Sequence, residues 1–428
     1  MPHAIVVGGG LAGLASAAAL GDAGYEVDLY EARPFLGGRA TSYTLPNAET
    51  VDNCQHILLH CCVNLLNFYE RLGVRSKVEF HDAIPFMEPG GRLSILKAGL
   101  LPAPAHFTGS FLRLKFLNLA DKISVGRAFL SMRREHGKRN DLERITMLTW
   151  LKEKKQTSRA IDRFWRPVLV SAINEELDRM AAAHGFQVFW LGFLASRDSY
   201  QMGVPAVPLG QLYSAASWRR LSKVSIHFRS PVEQLDPERG ALIAGEWRKA
   251  DAYISAVPFE RIGALAPGLE QDVSHFEHSS ITGIHLWFDR PVTDLPHAAL
   301  LDRNIQWFFN KDAGKYLQLV VSASKALLDM GRKEVVELAV KELGDFLPAV
   351  KLAKLEKAHV VKEVRATFSA LPGLEEQRPG AVTKWPNVFL AGDWTRSGWP
   401  ATMEGAVRSG YLAAEAVSGK RFLIPDIA

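Results

Sequence analysis

The sequence predicts an α/β protein in which a Rossmann-type dinucleotide-binding domain is interleaved with a mixed α+β domain. Three observations carry that expectation. The amino-terminal stretch "HAIVVGGGLAGLASAAALGDAGYEVDLYEA" reads as strand, tight turn, helix and strand; "NVFLAGDWTRSGWPATMEGAVRSGYLAAEAV", residues 387–417, reads as strand, turn and helix. Between them, residues 224–262 alternate like strands around the turn Asp236-Pro237-Glu238-Arg239-Gly240. At 428 residues the chain is too long for one simple core. The nucleotide-binding pieces are therefore expected to form a discontinuous domain of residues 1–80, 201–264 and 376–428, with 81–200 and 265–375 forming a substrate domain.

In the first piece, Ile5, Val6 and Val7 make a β-branched run, and Gly8, Gly10 and Gly13 give G-x-G-x-x-G. Gly8 permits a sharp turn, and Gly10 lets backbone N–H groups reach a pyrophosphate at the positive end of a helix beginning near Leu11 and Ala12. Gly13 lets that helix lie close to the strand. Glu31 closes the second strand 18 residues after Gly13, where its carboxylate can accept from both ribose hydroxyls, with Ala32 and Arg33 following. Gly37, Gly38 and Arg39 come next.

In the last piece, Val388 to Leu390 form a buried strand and Gly392 and Asp393 a turn. Pro400 suits the entry to a helix starting near Ala401, Thr402 and Met403. The N–H groups of Thr402 and Met403 would face a ligand that becomes anionic on reduction.

E-A-x-x-x-x-G-G-R after the second strand, together with A-G-D and P-x-T-x-E-G-A-x-x-S-G near the carboxyl end, resembles the amine oxidase and phytoene desaturase superfamily of flavoproteins. The resemblance implies a glutathione reductase-like FAD-binding domain with FAD as cofactor. It implies that Gly37 and Gly38 bring the chain close to the cofactor, that Arg39 contacts its phosphates and that Asp393 faces the ribityl and pyrophosphate. Val232 would offer backbone groups to adenine. A second G-x-G-x-x-G is missing, so a separate nicotinamide domain is not expected and the electron donor stays unidentified.

"VDNCQHILLHCCVNLLNFYERLG", residues 51–73, narrows the resemblance to the hydroxysqualene dehydroxylases of squalene and hopanoid biosynthesis, although Cys54 stands where that family more often has glycine. The resemblance implies reductive loss of a hydroxyl from an apolar isoprenoid, hydroxysqualene. Such a reaction needs a proton donor near the hydroxyl and an apolar pocket around the cation. His56 and Asp52, with Gln55 beside them, are the candidate catalytic residues. Oxidative desaturation of a polyene, or amine oxidation, uses the same scaffold and stays open as an alternative; a non-catalytic flavin carrier is a third reading.

The net charge of +5 is uneven: ten Lys or Arg fall between Arg92 and Arg139 against two acids, Asp121 and Glu135, amid Leu, Phe and Pro. Residues 92–139 are thus a candidate for peripheral docking on anionic lipid, with a charged helical pair as the plainer alternative. No run reaches the roughly 18 apolar residues of a spanning helix, and no recognition module supports nucleic-acid binding. Three clustered cysteines do not make a disulfide framework, which favours a reducing, cytoplasmic location, at the inner face of the membrane if the docking surface is used. His60, Cys61 and Cys62 are expected on one helix, where neighbouring residues diverge by about 100° and cannot converge on a metal; no metal is expected. The substrate domain is expected to be mostly helical, with an amphipathic helix in 331–350 and strands in 280–292 and 304–324. Trp190, Phe193, Trp287, Trp307 and Phe308 are candidates to line an apolar tunnel, each of them more often plain core.

Overall fold

The structure is a computed structural model describing residues 1–46 and 48–427. Five strands, β1 (His3–Val7), β2 (Glu26–Glu31), β3 (Val224–Phe228), β4 (Ala252–Ser255) and β5 (Val388–Leu390), form a parallel sheet in the spatial order β3-β2-β1-β4-β5. β1 is central and paired on both edges, which is why its sequence is a continuous apolar run. The three segments that supply these strands are the three picked out in the sequence.

Helix α1 (Leu11–Ala23) is buried from Leu11 through Leu20, and helix α2 (Met403–Ser418) lies directly against it. The small side chains of α1 permit this: a Cβ on Gly410 would come 2.2 Å from the Ala12 carbonyl oxygen. Ser16 Oγ donates to the carbonyls of Ala12 and Gly410 across the same contact, at 2.8 and 3.1 Å.

A second sheet of seven strands runs in the spatial order Leu355–Phe368, His278–Phe288, Tyr316–Ser322, Trp307–Asp312, His297–Leu300, Ala83–Glu88, Arg92–Lys97. Neighbours are antiparallel except the parallel pair His297–Leu300 and Ala83–Glu88. One face packs Ile284, Leu286, Phe308 and Leu319 against the helix Arg332–Phe346. The other carries Ile84, Phe86, Trp307, Phe309 and Val320 into an aromatic cluster shared with the helices between Thr108 and Leu194.

The strands expected in 280–292 and 304–324 are present, and so is the amphipathic helix. The sheet's other four strands escape the period-2 signal, His297–Leu300 because it is short and buried throughout. Leu355–Phe368 is an edge strand with few fully buried residues, so it carries little apolar alternation. Ala83–Glu88 is buried almost throughout and reads as an undifferentiated apolar run. Arg92–Lys97, at the other edge, opens the basic block as a strand rather than as half of a helical pair.

Two further expectations are corrected. Phe308 lies on the outer face of the second sheet, away from the aromatic cluster, because its neighbours Trp307 and Phe309 take the inner face. The helix after the cysteines starts at Val63 with Cys62 as its N-cap, so His60, Cys61 and Cys62 occupy the preceding turn and not a helix. Among the described residues, no three His, Cys, Asp or Glu side chains are placed to hold a metal ion.

That helix is held by Glu404 of α2, whose carboxylate accepts from the backbone N–H groups of Asn64 and Leu65, at 3.2 and 2.7 Å, and from the Asn64 side chain at 2.9 Å. It thereby satisfies donors that a helix start leaves open. Burial lifts its pKa from 4.5 to about 7 despite these donors and Arg408. Because the folded-state value lies above the unfolded one, the stability this carboxyl contributes is complete below pH 4.5 and is lost as pH rises through about 7. The thermal midpoint of Glu404→Gln should therefore lack a decline between pH 4.5 and 7 that the parent shows, a difference of about 1–3 kcal/mol; parallel pH profiles would refute this.

Candidate active site

At the carboxyl ends of the parallel strands the chain builds a cradle from both of its ends. β1 leads into Gly8, whose φ of +109° makes the turn. A Cβ on Gly13 would meet the Gly8 carbonyl oxygen at 1.9 Å, so α1 can sit this close only with glycine there. At Gly10 the space is open: a Cβ there would meet nothing within 4 Å. Leu11 and Ala12 follow as the buried first residues of α1, their N–H groups at its positive end. Gly37 N–H donates to the Gly9 carbonyl at 2.8 Å, which lays the 37–38 turn across this entrance, with Gly38 close over Gly10.

Glu31 stands at the end of β2, its carboxylate accepting from Gly9 N–H at 2.6 Å and Arg33 N–H at 2.8 Å across Ala32. Ser230 N–H donates to the Glu31 carbonyl at 3.0 Å, so the chain enters the strand Val232–Asp236 beside this acid. On the other side, Arg39 donates to both carboxylate oxygens of Asp393, each at 2.7 Å, and to the Ala366 carbonyl at 2.9 Å. Gly392, with φ of +138°, donates its N–H to Ser409 Oγ and so fixes the turn that presents Asp393. Ala401 is buried, and Thr402 caps α2 by accepting from Gly405 N–H at 3.0 Å, which leaves Met403 as its first residue. An acid at the strand end, two helix starts, an open glycine entrance and an arginine facing an aspartate fit the ribose, pyrophosphate and ribityl of FAD. The carboxylate of Glu31 would take the ribose hydroxyls, and Arg39 with the start of α1 the phosphates.

Residues 50–56 run between this cradle and the second sheet. Asp52 is buried, accepting from Ser42 Oγ at 2.6 Å and Leu209 N–H at 3.0 Å, with Lys311 Nζ at 3.6 Å. Gln55 accepts from the same Lys311 at 3.1 Å. Burial pulls Lys311 below the ordinary lysine value, against the Asp52 carboxylate. His56 has Nδ1 3.3 Å from the Cys54 carbonyl, and burial pushes its imidazole below its ordinary 6.5, again against Asp52. Cys54 takes φ +60°, the left-handed region that glycine favours, and packs on Gly283 of the second sheet. A side chain in that region costs about 1 kcal/mol. Burial pushes the Cys54 thiol up to about 12, so it stays protonated.

Lys311 is a residue the sequence reading missed. Its signal was present in "NIQWFFNKD", where Trp307, Phe309 and Lys311 share one face of a strand. His285, Tyr316 and Gln318, on neighbouring strands, were missed as well. Of the aromatics proposed for a tunnel, Trp307 and Phe193 join the inner cluster. Trp287 stacks on Tyr316 with centroids 4.4 Å apart, and Trp190 stacks on His136 at 3.9 Å.

A Rossmann-type cradle closed by the carboxy-terminal helix, facing a mixed sheet, defines an FAD-dependent oxidoreductase. The chain belongs to the flavin-containing amine oxidoreductase family, which it matches over residues 11–418. It is 28% identical over 435 residues to the hydroxysqualene dehydroxylase of Zymomonas mobilis, covering 96% of this chain and 97% of that protein. It is 26% identical over 461 residues to a 15-cis-phytoene desaturase of an Oncidium hybrid cultivar, covering 96% of this chain and 77% of that one. In fold it is similar to an oxidoreductase from Methanosarcina mazei, with a TM-score of 0.73 at 17% identity over 98% of this chain and all of the other.

Replacing Glu31 by Gln keeps the shape but removes the charge that strengthens hydrogen bonds to the ribose. Glu31→Gln should bind FAD about tenfold more weakly in a titration of the apoprotein, and an unchanged affinity would show that the acid does not hold the ribose.

Proposed function

We propose that this protein reductively dehydroxylates hydroxysqualene, giving squalene and water, with reduced FAD as the hydride source. The observation that carries this reading is a largely buried lysine, Lys311, held by Asp52 and Gln55 on the sheet face that also carries Trp307, Phe309 and Val320. When bound and reduced, FAD supplies a hydride at N5, so that hydroxysqualene and FADH2 become squalene, FAD and water.

The rest falls to the chain. An alcohol leaves poorly unless protonated, and an ammonium whose pKa burial has lowered is a stronger acid than an ordinary lysine. Lys311 is proposed as that donor, with Asp52 and Gln55 holding its Nζ. His56 is proposed as a neutral wall of the site, since an imidazole with a lowered pKa is largely unprotonated near neutrality. Trp307, Phe309 and Val320 on the same sheet face would exclude water from a developing allylic cation.

Anaerobically reduced enzyme mixed with hydroxysqualene should reoxidise its flavin and form squalene, and Lys311→Met should retain FAD while losing about a hundredfold in turnover. The second reading, oxidative desaturation, is favoured by the similarity to phytoene desaturases. It predicts the reverse pattern: oxidised enzyme bleached by a polyene, with no squalene from the alcohol.

We also propose that the substrate arrives from an anionic membrane. Among the described residues, seven of the twelve large apolar side chains that stand exposed lie between 95 and 130: Ile95, Leu100, Leu101, Leu112, Leu119, Ile123 and Leu130. On the helix Leu119–Glu135, Leu119, Ile123 and Leu130 share one face, flanked by Arg127 and Arg134. Apolar side chains rimmed by cations complement a bilayer with negative headgroups. No helix in the described residues is long and apolar enough to cross one. Vesicles containing phosphatidylserine should carry the protein upward in flotation, and Leu119→Asp with Ile123→Asp should leave it at the bottom; equal flotation of both would discount this surface.

A further inference from the structure

Among the described residues, the second sheet buries a side chain, Gln318, neither of whose polar atoms has a partner. Gln318 is 0% exposed, and neither its Oε1 nor its Nε2 makes a hydrogen bond among the described residues. An orphaned carboxamide in a core is destabilising, and buried polar groups almost always find a partner. Something outside the chain is therefore expected to meet it.

Its position says what. Gln318 stands directly opposite His285 on one neighbouring strand and Phe309 on the other, and directly opposed residues point to one face. The strand bearing His285 alternates without interruption from Ile281 to Trp287, so His285 shares its face with Gly283, which packs on Cys54 of the 50–56 segment. Gln318 thus looks toward the same side as Asp52, Gln55 and Lys311. His285 is itself buried, with Nδ1 2.7 Å from the Tyr316 hydroxyl and Nε2 without a hydrogen-bond partner. Burial, followed by His359 and Lys311, pushes its pKa down to about 3, so the ring is neutral. Beyond Gln318 the same face turns apolar through Val320, Trp307 and Phe309.

We propose that Gln318, with His285 beside it, is the subsite that binds the single hydroxyl of an otherwise apolar isoprenoid alcohol and discriminates it from the corresponding hydrocarbon. A carboxamide offers an acceptor for the alcohol O–H and a donor for its oxygen, which a hydrocarbon leaves unmet. This deepens the reading of the protein as a hydroxysqualene dehydroxylase and rests on it for the identity of the alcohol.

The test uses oxidised holoenzyme, which binds without turnover, titrated with hydroxysqualene and with squalene and followed by perturbation of the flavin spectrum. The parent should bind the alcohol about tenfold or more tighter than the hydrocarbon. Gln318→Leu should lose that preference while keeping FAD content and squalene affinity, and Gln318→Met serves as the second variant if the first retains too little flavin. A preference that survives in both variants, or a parent with none, overturns the subsite and leaves Gln318 to a bound water. If the parent shows the preference but the reduced enzyme forms no squalene, the subsite stands and the dehydroxylation reading fails.

Discussion

The close backbone contact between α1 and α2 is the constraint on which the site depends. The chain's two ends are far apart in sequence, yet each contributes a helix whose first residues border the same cradle. They can do so because Gly410 places no side chain against the Ala12 carbonyl and Gly13 places none against Gly8. Any larger residue would push a helix away from the sheet or from its partner, and the positive helix ends would no longer face a common ligand. The alanine-rich face of α1 is a packing requirement of the same contact, because small side chains let two helices and a sheet meet without voids.

From that contact the order spreads outward through polar groups that hold backbone. Arg378 is 1% exposed and donates to the carbonyls of Asp393 at 2.9 Å and Trp399 at 2.8 Å, and it also pairs with Glu375 and the Thr395 carbonyl. It thereby shapes the loop that joins β5 to α2 and aims Asp393 at Arg39. Glu404 does the same for the helix beginning at Val63. Both are ionisable residues buried where their hydrogen-bonding groups are met largely by backbone, the circumstance in which burying such a group is tolerated.

The cofactor half was legible in the sequence because its demands fall on backbone. Only glycine satisfies the turn at Gly8 and the approaches at Gly13 and Gly410, so the geometry writes itself into residue type at fixed spacing. The reaction half was not, since a side chain on a sheet face meets partners set by strand order, and strand order is absent from the sequence. Lys311 meets Asp52 and Gln55 across more than 250 positions. His285 and Gln318 are brought opposite each other by an antiparallel pairing that leaves no local trace. The turn at His60, Cys61 and Cys62 went unread for a related reason: the helix begins only at Val63, with a cysteine at a capping position that seldom holds one.

The second sheet separates two tasks by its two faces. The outer face is closed by the helix Arg332–Phe346 and is largely apolar where they meet, which supplies the burial that holds the sheet against its helix. The inner face is therefore free to carry groups that weaken a core, and it does so locally: a lysine, a histidine and a glutamine stand on adjacent strands, bordered by Trp307, Phe309 and Val320. Low local polarity makes each of those groups more responsive. It lowers the proton affinity of the lysine, keeps the histidine neutral and leaves the carboxamide with no hydrogen-bond partner among the described residues. The same apolar wall that would shelter a cation from solvent thus sets the chemistry of the polar groups beside it.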